Sequence, residues 1–429
     1  MPIDVQELAK RLRSAREAAA FTQEEAATHI GVSRPTLVQI EAGNRPVNSI
    51  ELDRLASFYG RDLQSLLADE FRAEETLVAL FRRGAAAADE VAEPDWAESE
   101  TLAAIRSCLA LGREITNLER HLEIDRDQTA LPAYSVRPSA SRWDAIQQGE
   151  RVATEERRRL GLGFAPLPNV AELLDSQGIR TAQVKLPGDL SGLMLTDSTI
   201  GLFVVANQEH VYLRRRFSFA HEYCHVLLDR DRRGTISRSS DRESLFEVRA
   251  NAFAAAFLMP REGVEEFLAR LAKGLPSRSR TEVYDGEDIV PAISRPEAGS
   301  QSIQFHDVVL LAHQFGVSRQ SALYRLKNLK QISEAEFKHL WALEEQQAGK
   351  NLASLMKLHD PDTNGARDEF RHRFLALAFE AFRRTRISRG KLHELARMAQ
   401  TSPEVVDKTL EALDIGEPNS EPTAYVDAD

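Results

Sequence analysis

Between Arg216 and Asp229 the chain reads Arg-Phe-Ser-Phe-Ala-His221-Glu222-Tyr-Cys-His225-Val-Leu-Leu-Asp. This H-E-x-x-H stretch restricts the fold more than any other feature. On a helix, positions i and i+4 share a face, so His221 and His225 can hold one metal ion together. Glu222, beside the first histidine, can reach a water on that metal and act as its general base. Phe217, Phe219, Ala220, Val226, Leu227 and Leu228 make the flanks apolar, as suits a buried helix that keeps bulk water from a metal. Histidine supplies only 11 of 429 residues, so coincidence accounts poorly for the spacing.

A catalytic zinc keeps three protein ligands and one open position, so a third ligand is expected. The best placed is Glu247, in Glu247-Val-Arg-Ala-Asn251-Ala-Phe-Ala-Ala-Ala-Phe-Leu-Met-Pro260, a second apolar helix that Pro260 ends. Glu243 is the alternative ligand. Glu247 and Asn251 are four apart and share a face. A carboxylate on so apolar a helix is costly unless paired or metal-bound.

These two blocks, R-x-F-x-x-A-H-E-x-x-H and E-x-x-A-N-x-F-A-A-x-x-L-M-P, resemble the ImmA/IrrE family of zinc metallopeptidases. Studied members cleave or otherwise relieve helix-turn-helix repressors. The resemblance implies Zn²⁺ held by His221, His225 and Glu247, with Glu222 as catalytic acid/base; Asn251 and Cys224 are the candidates to stand behind the ligands. Cys224 departs from the family, which often has Gly there. A side chain at 224 either crowds the next helix and the metal, or is a small buried hydrophobe.

Two or three domains are expected from the length. The net charge of −11 and pI of about 5.6 exclude a general nucleic-acid binder, so any DNA contact needs a local patch. Two cysteines, Cys108 and Cys224, make no disulfide framework. With no signal peptide and no long apolar run, a soluble cytoplasmic protein without membrane contact is expected.

At the N-terminus, Val5, Leu8, Leu12 and Ala15 form the inner face of a helix over 4–18. Thr22 caps a second helix over Gln23–Ile30, with Glu25 completing a capping box. Gly31-Val-Ser33 turns the chain, Ser33 caps a third helix over Arg34–Glu41, and Ser49 caps a fourth. Two short helices joined by a glycine turn form a helix-turn-helix. Residues 7–68 resemble the Cro/C1-type (XRE) DNA-binding domain, through R-x-x-x-x-F-T-Q-E-E-A-A, G-V-S-R, I-E-A-G and L-D-R-L-A. The third helix would enter the major groove of a double-stranded DNA operator, with Ser33, Arg34, Thr36 and Gln39 toward base edges. Gln23, Asn44 and Arg45 would contact phosphates. Residues 1–72 hold nine Lys or Arg against eleven Asp or Glu. A homodimer would supply the missing charge and a second half-site.

Residues 72–93 read as a helix tail and linker. Leu102, Ile105, Leu109, Ile115, Leu118 and Leu122 form a short seam, either for dimerisation or for packing on the chain itself. Glu155–Arg159 and the arginines at 214–216, placed just before the metal helix, read as solvated. Ile179–Lys185, Ser191–Leu195 and Gly201–Val205 read as strands, and 275–302 as a mobile loop. Gln314-Phe-Gly-Val-Ser-Arg319 repeats His29-Ile-Gly-Val-Ser-Arg34 and marks a second helix-turn-helix-like unit, read as structural. Residues 334–415 are helical, and the tail from Glu417 reads as disordered.

The expected class is α+β, mainly α. It comprises an XRE-type bundle (1–72), a helical linker (73–138), a zincin-like domain with a small sheet (139–275) and a helical C-terminal part (276–429). The expected function is DNA-binding regulation with a zinc peptidase-like domain whose substrate is a repressor or the chain itself. The alternative is a non-catalytic metal-binding sensor or oligomerisation domain.

Overall fold

The computed structural model describes residues 4–18, 21–59, 63–67, 99–126, 131–197, 200–230, 234–238, 243–273, 279–285, 288–294, 301–358 and 365–413. The described residues form two compact units. One is drawn from Met1–Pro94, Ile105–Arg126 and Asp368–Asp429, the other from Asp95–Ala104 and Asp127–Arg367. The class is α+β and mainly α, as the sequence pattern implies. The expected linker over 72–93 and the tail from Glu417 lie outside the described residues.

The first unit opens with α1 (Val5–Ala18), α2 (Gln23–Ile30), α3 (Arg34–Glu41), α4 (Ser49–Phe58) and α5 (Leu63–Leu67). Thr22 and Glu25 form the capping box of α2, and Gly31 ends it at φ 78, a left-handed conformation that glycine adopts cheaply. Leu12, Ala26, Leu37, Ile40, Leu55 and Tyr59 close a core. Beside it, Arg16 Nε and Nη2 donate to Glu41 Oε1 and Oε2 at 2.7 and 3.1 Å, and Gln23 Nε2 donates to Glu41 Oε2 at 3.0 Å. Two caps differ from expectation. The Ser33 hydroxyl meets the Thr36 hydroxyl at 2.9 Å instead of a backbone amide. Asn48, not Ser49, caps α4: its Oδ1 accepts from the Glu51 amide at 2.8 Å, because Ser49 is already helical.

Helix α6 (Ser99–His121) buries Ile105, Leu109, Ile115 and Leu118 within the chain, so most of the seam already has its cover.

The second unit contains α7 (Arg142–Arg159), α8 (Val170–Ser176), β1 (Arg180–Val184), β2 (Leu190–Asp197), β3 (Gly201–Asn207), α9 (Tyr212–Leu228), β4 (Gly234–Arg238), α10 (Leu245–Leu258) and α11 (Arg261–Arg270). The sheet runs β1-β3-β2-β4, with β1 parallel to β3 and the other pairs antiparallel. Central β3 buries Leu202 through Ala206, an unbroken apolar run suited to a strand covered on both faces. Strand β4, absent from the sequence reading, forms the edge. Helix α9 packs on β2 and β3 and against α10.

Three expectations about charge and loop are corrected. The arginines at 214–216 lie inside α9, and Arg215 and Arg216 are buried. Arg216 donates to the carbonyls of Leu167 and Pro168, both at 2.6 Å, and Gly316 at 3.0 Å. A planar guanidinium with five donors can satisfy several loop carbonyls at once, so a basic run need not be solvated. Glu156 and Arg157 are buried for the same kind of reason. Arg157 donates to the carbonyls of Gly163, Ala165 and Phe257, and Glu156 accepts from the hydroxyls of Tyr134 and Tyr223. Within 275–302, β5 (Ser279–Asp285) and β6 (Asp288–Ser294) pair as an antiparallel hairpin. Thr281, Val283, Ile289 and Val290 around Asp285-Gly286 form a hairpin signal, which the surrounding Ser, Arg and Pro obscure.

Then follow α12 (Phe305–Phe315), α13 (Arg319–Asn328), α14 (Glu334–Glu345) and α15 (Ala348–Leu355). The turn between α12 and α13 repeats that between α2 and α3, with Gly316 at φ 59. Here, however, the second helix is packed: Ala322, Leu323 and Leu326 share a core with Phe253 and Phe257, and Arg325 Nε donates to the Met259 carbonyl at 2.9 Å. Helices α16 (Gly365–Arg383), α17 (Arg389–Met398) and α18 (Pro403–Ala412) return to the first unit, where Lys391 Nζ reaches Glu114 at 2.9 Å.

Candidate metal centre

The second half of α9 and the first half of α10 bring three predicted ligands together. His221 Nε2 lies 3.0 Å from Glu247 Oε2, His225 Nε2 lies 3.5 Å from Glu247 Oε1, and the two Nε2 atoms are 3.3 Å apart. Among the described residues these are the group that could share one metal ion, and all three are buried. Glu243, the alternative ligand, instead pairs with Arg142 at the surface.

The outer nitrogens explain how the rings are set. His221 Nδ1 meets Asn251 Oδ1 at 3.0 Å, and His225 Nδ1 meets Asp229 Oδ2 at 2.8 Å. Both partners offer an acceptor oxygen, so a ring that donates from Nδ1 has its Nε2 lone pair free for a metal. Two lone pairs and a carboxylate facing one point repel unless a cation joins them. A tetrahedral zinc with ligands at 2.0–2.1 Å separates them by about 3.3 Å, which these residues match.

At His225 the two neighbouring carboxylates favour a second proton, which a cation at Nε2 would replace. Burial pulls the His225 pKa down, but hydrogen bonds to Asp229 and Glu247 outweigh it and the net shift is upward. Burial likewise raises Glu247, yet hydrogen bonds from His221 and His225 hold it well below the usual carboxylate range. Glu222 is fully buried, and neither carboxylate oxygen has a hydrogen-bond partner. Burial raises its pKa, against the pull of His221, His225 and then the Ser237 hydroxyl.

Two supporting residues were not given roles from sequence. Asp229 orients His225, and Arg249 Nη2 holds both Asp229 oxygens at 2.8 Å. The signal was present, since Asp229 follows His225 by four. Replacing Asp229 with alanine is expected to weaken metal affinity about 10- to 100-fold, read by competition with a chromogenic chelator. Unchanged affinity would remove the orienting role. Cys224, expected behind the ligands, is fully buried in the core, and burial pushes its thiol pKa up.

In the N-terminal bundle, Ser33, Arg34 and Gln39 are exposed on α3 and Thr36 is half-buried. The loop after α3 folds back on it, with the amides of Asn44 and Arg45 both bonding the Gln39 carbonyl. Of the expected phosphate contacts, Asn44 is exposed. Gln23 is tied to Glu41, and Arg45 Nη2 donates to Glu51 at 2.9 Å.

Comparison with known proteins finds two matching segments. A model described as a helix-turn-helix domain matches residues 7–69, and one described as an IrrE N-terminal-like domain matches 174–282. No curated relative matches the chain. Among solved structures, ComR from Streptococcus suis is similar at 11% identity over 96% of this chain and 97% of that one. Its TM-score is 0.15, too low to bear on architecture. The chain thus carries, in order, a segment similar to a helix-turn-helix domain and a segment similar to an IrrE N-terminal-like domain.

Proposed function

We propose that this chain is a DNA-binding transcription regulator whose second unit is a zinc-dependent peptidase acting on a repressor or on the chain itself. The observation that carries the reading is the convergence of His221, His225 and Glu247 beside an unpartnered, buried Glu222. A zinc ion held by those three residues would supply a Lewis acid for a scissile carbonyl and for the attacking water. Glu222, beside the ligands, would serve as the general base and acid that holds a proton on its carboxylate in transit to the leaving amine. Asn251 and Asp229 keep the ligand rings in the required tautomer. The apolar shell of α9 and α10 excludes bulk water.

The test compares wild type with Glu222→Gln, each loaded with zinc and incubated with its own chain and with candidate repressors. Discrete fragments from wild type only, at equal metal content, support the peptidase. Equal metal and no cleavage by either favours the second reading, a metal-dependent sensor governing DNA binding. One observation speaks for that alternative: all four residues of the centre are buried.

For the first unit, Arg34 is proposed to read a base edge in the major groove, and a homodimer to span two half-sites. Arg34→Ala is expected to cost about 1–3 kcal/mol of discrimination at one operator position, while metal content stays unchanged. Selection from a random DNA pool, followed by titration of single-base variants, measures this. Equal binding of wild type to every sequence would remove the role.

A further inference from the structure

We propose that Ser237, on edge strand β4, is a positioning residue for Glu222, its hydroxyl donating to the carboxylate and aiming the second oxygen at the metal ligands. The inference rests on the peptidase reading and adds a residue that neither the H-E-x-x-H pattern nor the ligand set contains.

Three observations meet at this point. First, Ser237 is 4% exposed and its Oγ makes no hydrogen bond, while both oxygens of fully buried Glu222 are also unpartnered. A buried donor and a buried carboxylate left unpaired each cost on the order of 1–3 kcal/mol or more. Here the two flank one residue, since Gly192 lies against Glu222 Oε1 and is the cross-strand partner of Ser237. Second, Ser237 is the cross-strand partner of Gly192 on β2, next to a register shift between Leu190 and Gly192. Such irregularities re-aim a side chain. Third, a Cβ on Gly192 would stand 3.0 Å from Glu222 Oε1 and 2.9 Å from the Val205 carbonyl. The missing side chain leaves a slot over the sheet for the Glu222 carboxylate, and Ser237 borders that slot from the edge strand. Thr235 also has an unpartnered buried hydroxyl, but its cross-strand partner is Met194, so it serves as the control.

The experiment uses the full chain loaded with Co²⁺, comparing wild type with Ser237→Ala, Ser237→Thr and Thr235→Val. Acetohydroxamate is the probe, because its hydroxyl needs a correctly aimed Glu222 as acceptor while its oxygens bind the metal. Its affinity is read from the visible cobalt spectrum, alongside metal content, melting temperature and fragment formation. Ser237→Ala is expected to bind one Co²⁺ with an unchanged melting temperature, yet to bind acetohydroxamate about 10- to 100-fold more weakly. Ser237→Thr restores affinity, and Thr235→Val leaves it unaltered. Equal affinity in wild type and Ser237→Ala overturns the proposal, as does a wild type that binds cobalt but not the probe. A wild type that shows the affinity pattern but cleaves nothing overturns the peptidase reading and leaves Ser237 as the residue that positions Glu222.

Discussion

Replacing His221 with alanine is expected to abolish stoichiometric metal binding, leaving less than about 0.1 metal per chain after dialysis, on the general dependence of such sites on ligand count. The geometry explains why one ring matters so much. His221 contributes one of three inward acceptors, and with it goes the Asn251 contact that fixed the ring. Two remaining ligands cannot enclose a tetrahedral ion. The chain should still fold, because α9 is held by buried Phe219, Ala220, Tyr223, Val226 and Leu227 as well as by Arg216 at its start. Metal analysis together with circular dichroism checks both halves. Full metal content in the variant would sink the ligand assignment, and loss of helicity would shift the role toward structure.

The second large effect is expected in the other unit. Glu41→Ala removes the acceptor of two bonds from Arg16 and one from Gln23, in a site where the Glu41 side chain is 3% exposed. Removing one partner of a buried pair strands the other charge and costs about 3–5 kcal/mol. The N-terminal bundle over α1–α5, about 60 residues, has roughly 3–9 kcal/mol in total at ordinary stability per residue. The variant bundle should therefore be largely unfolded near 37 °C and lose DNA binding, while metal content stays at the wild-type level. Amide exchange resolved by segment, with operator titration, tests this. Replacing Arg16 and Glu41 together with Met and Leu should be far milder, since no charge is then stranded. Native-like protection in Glu41→Ala would show that water reaches Arg16 and that the pair contributes little.

The sequence by itself determined the elements whose physics is local. Two histidines and a glutamate at helical spacing announce a metal helix. Thr22 with Glu25 announces a helix start, and Gly31 before Val-Ser announces a turn, because capping and left-handed φ depend on a few neighbouring residues. The apolar run at 202–206 likewise marked a strand. Only the tertiary structure decided what depends on residues distant in the chain. It set Glu247 rather than Glu243 beside the two histidines and placed Asp229 Oδ2 against His225 Nδ1. It buried Arg157 and Arg216 because distant segments offered carbonyls for their guanidinium groups. It covered most of the α6 seam within the chain and packed the second helix-turn-helix into the core. It also set Gly192 beneath Glu222 and Ser237 beside it, which follows from strand register. Spacing along a helix is fixed by covalent geometry and can be read from residue types. Register between strands and the partner of a buried charge are chosen by packing, which no local pattern encodes.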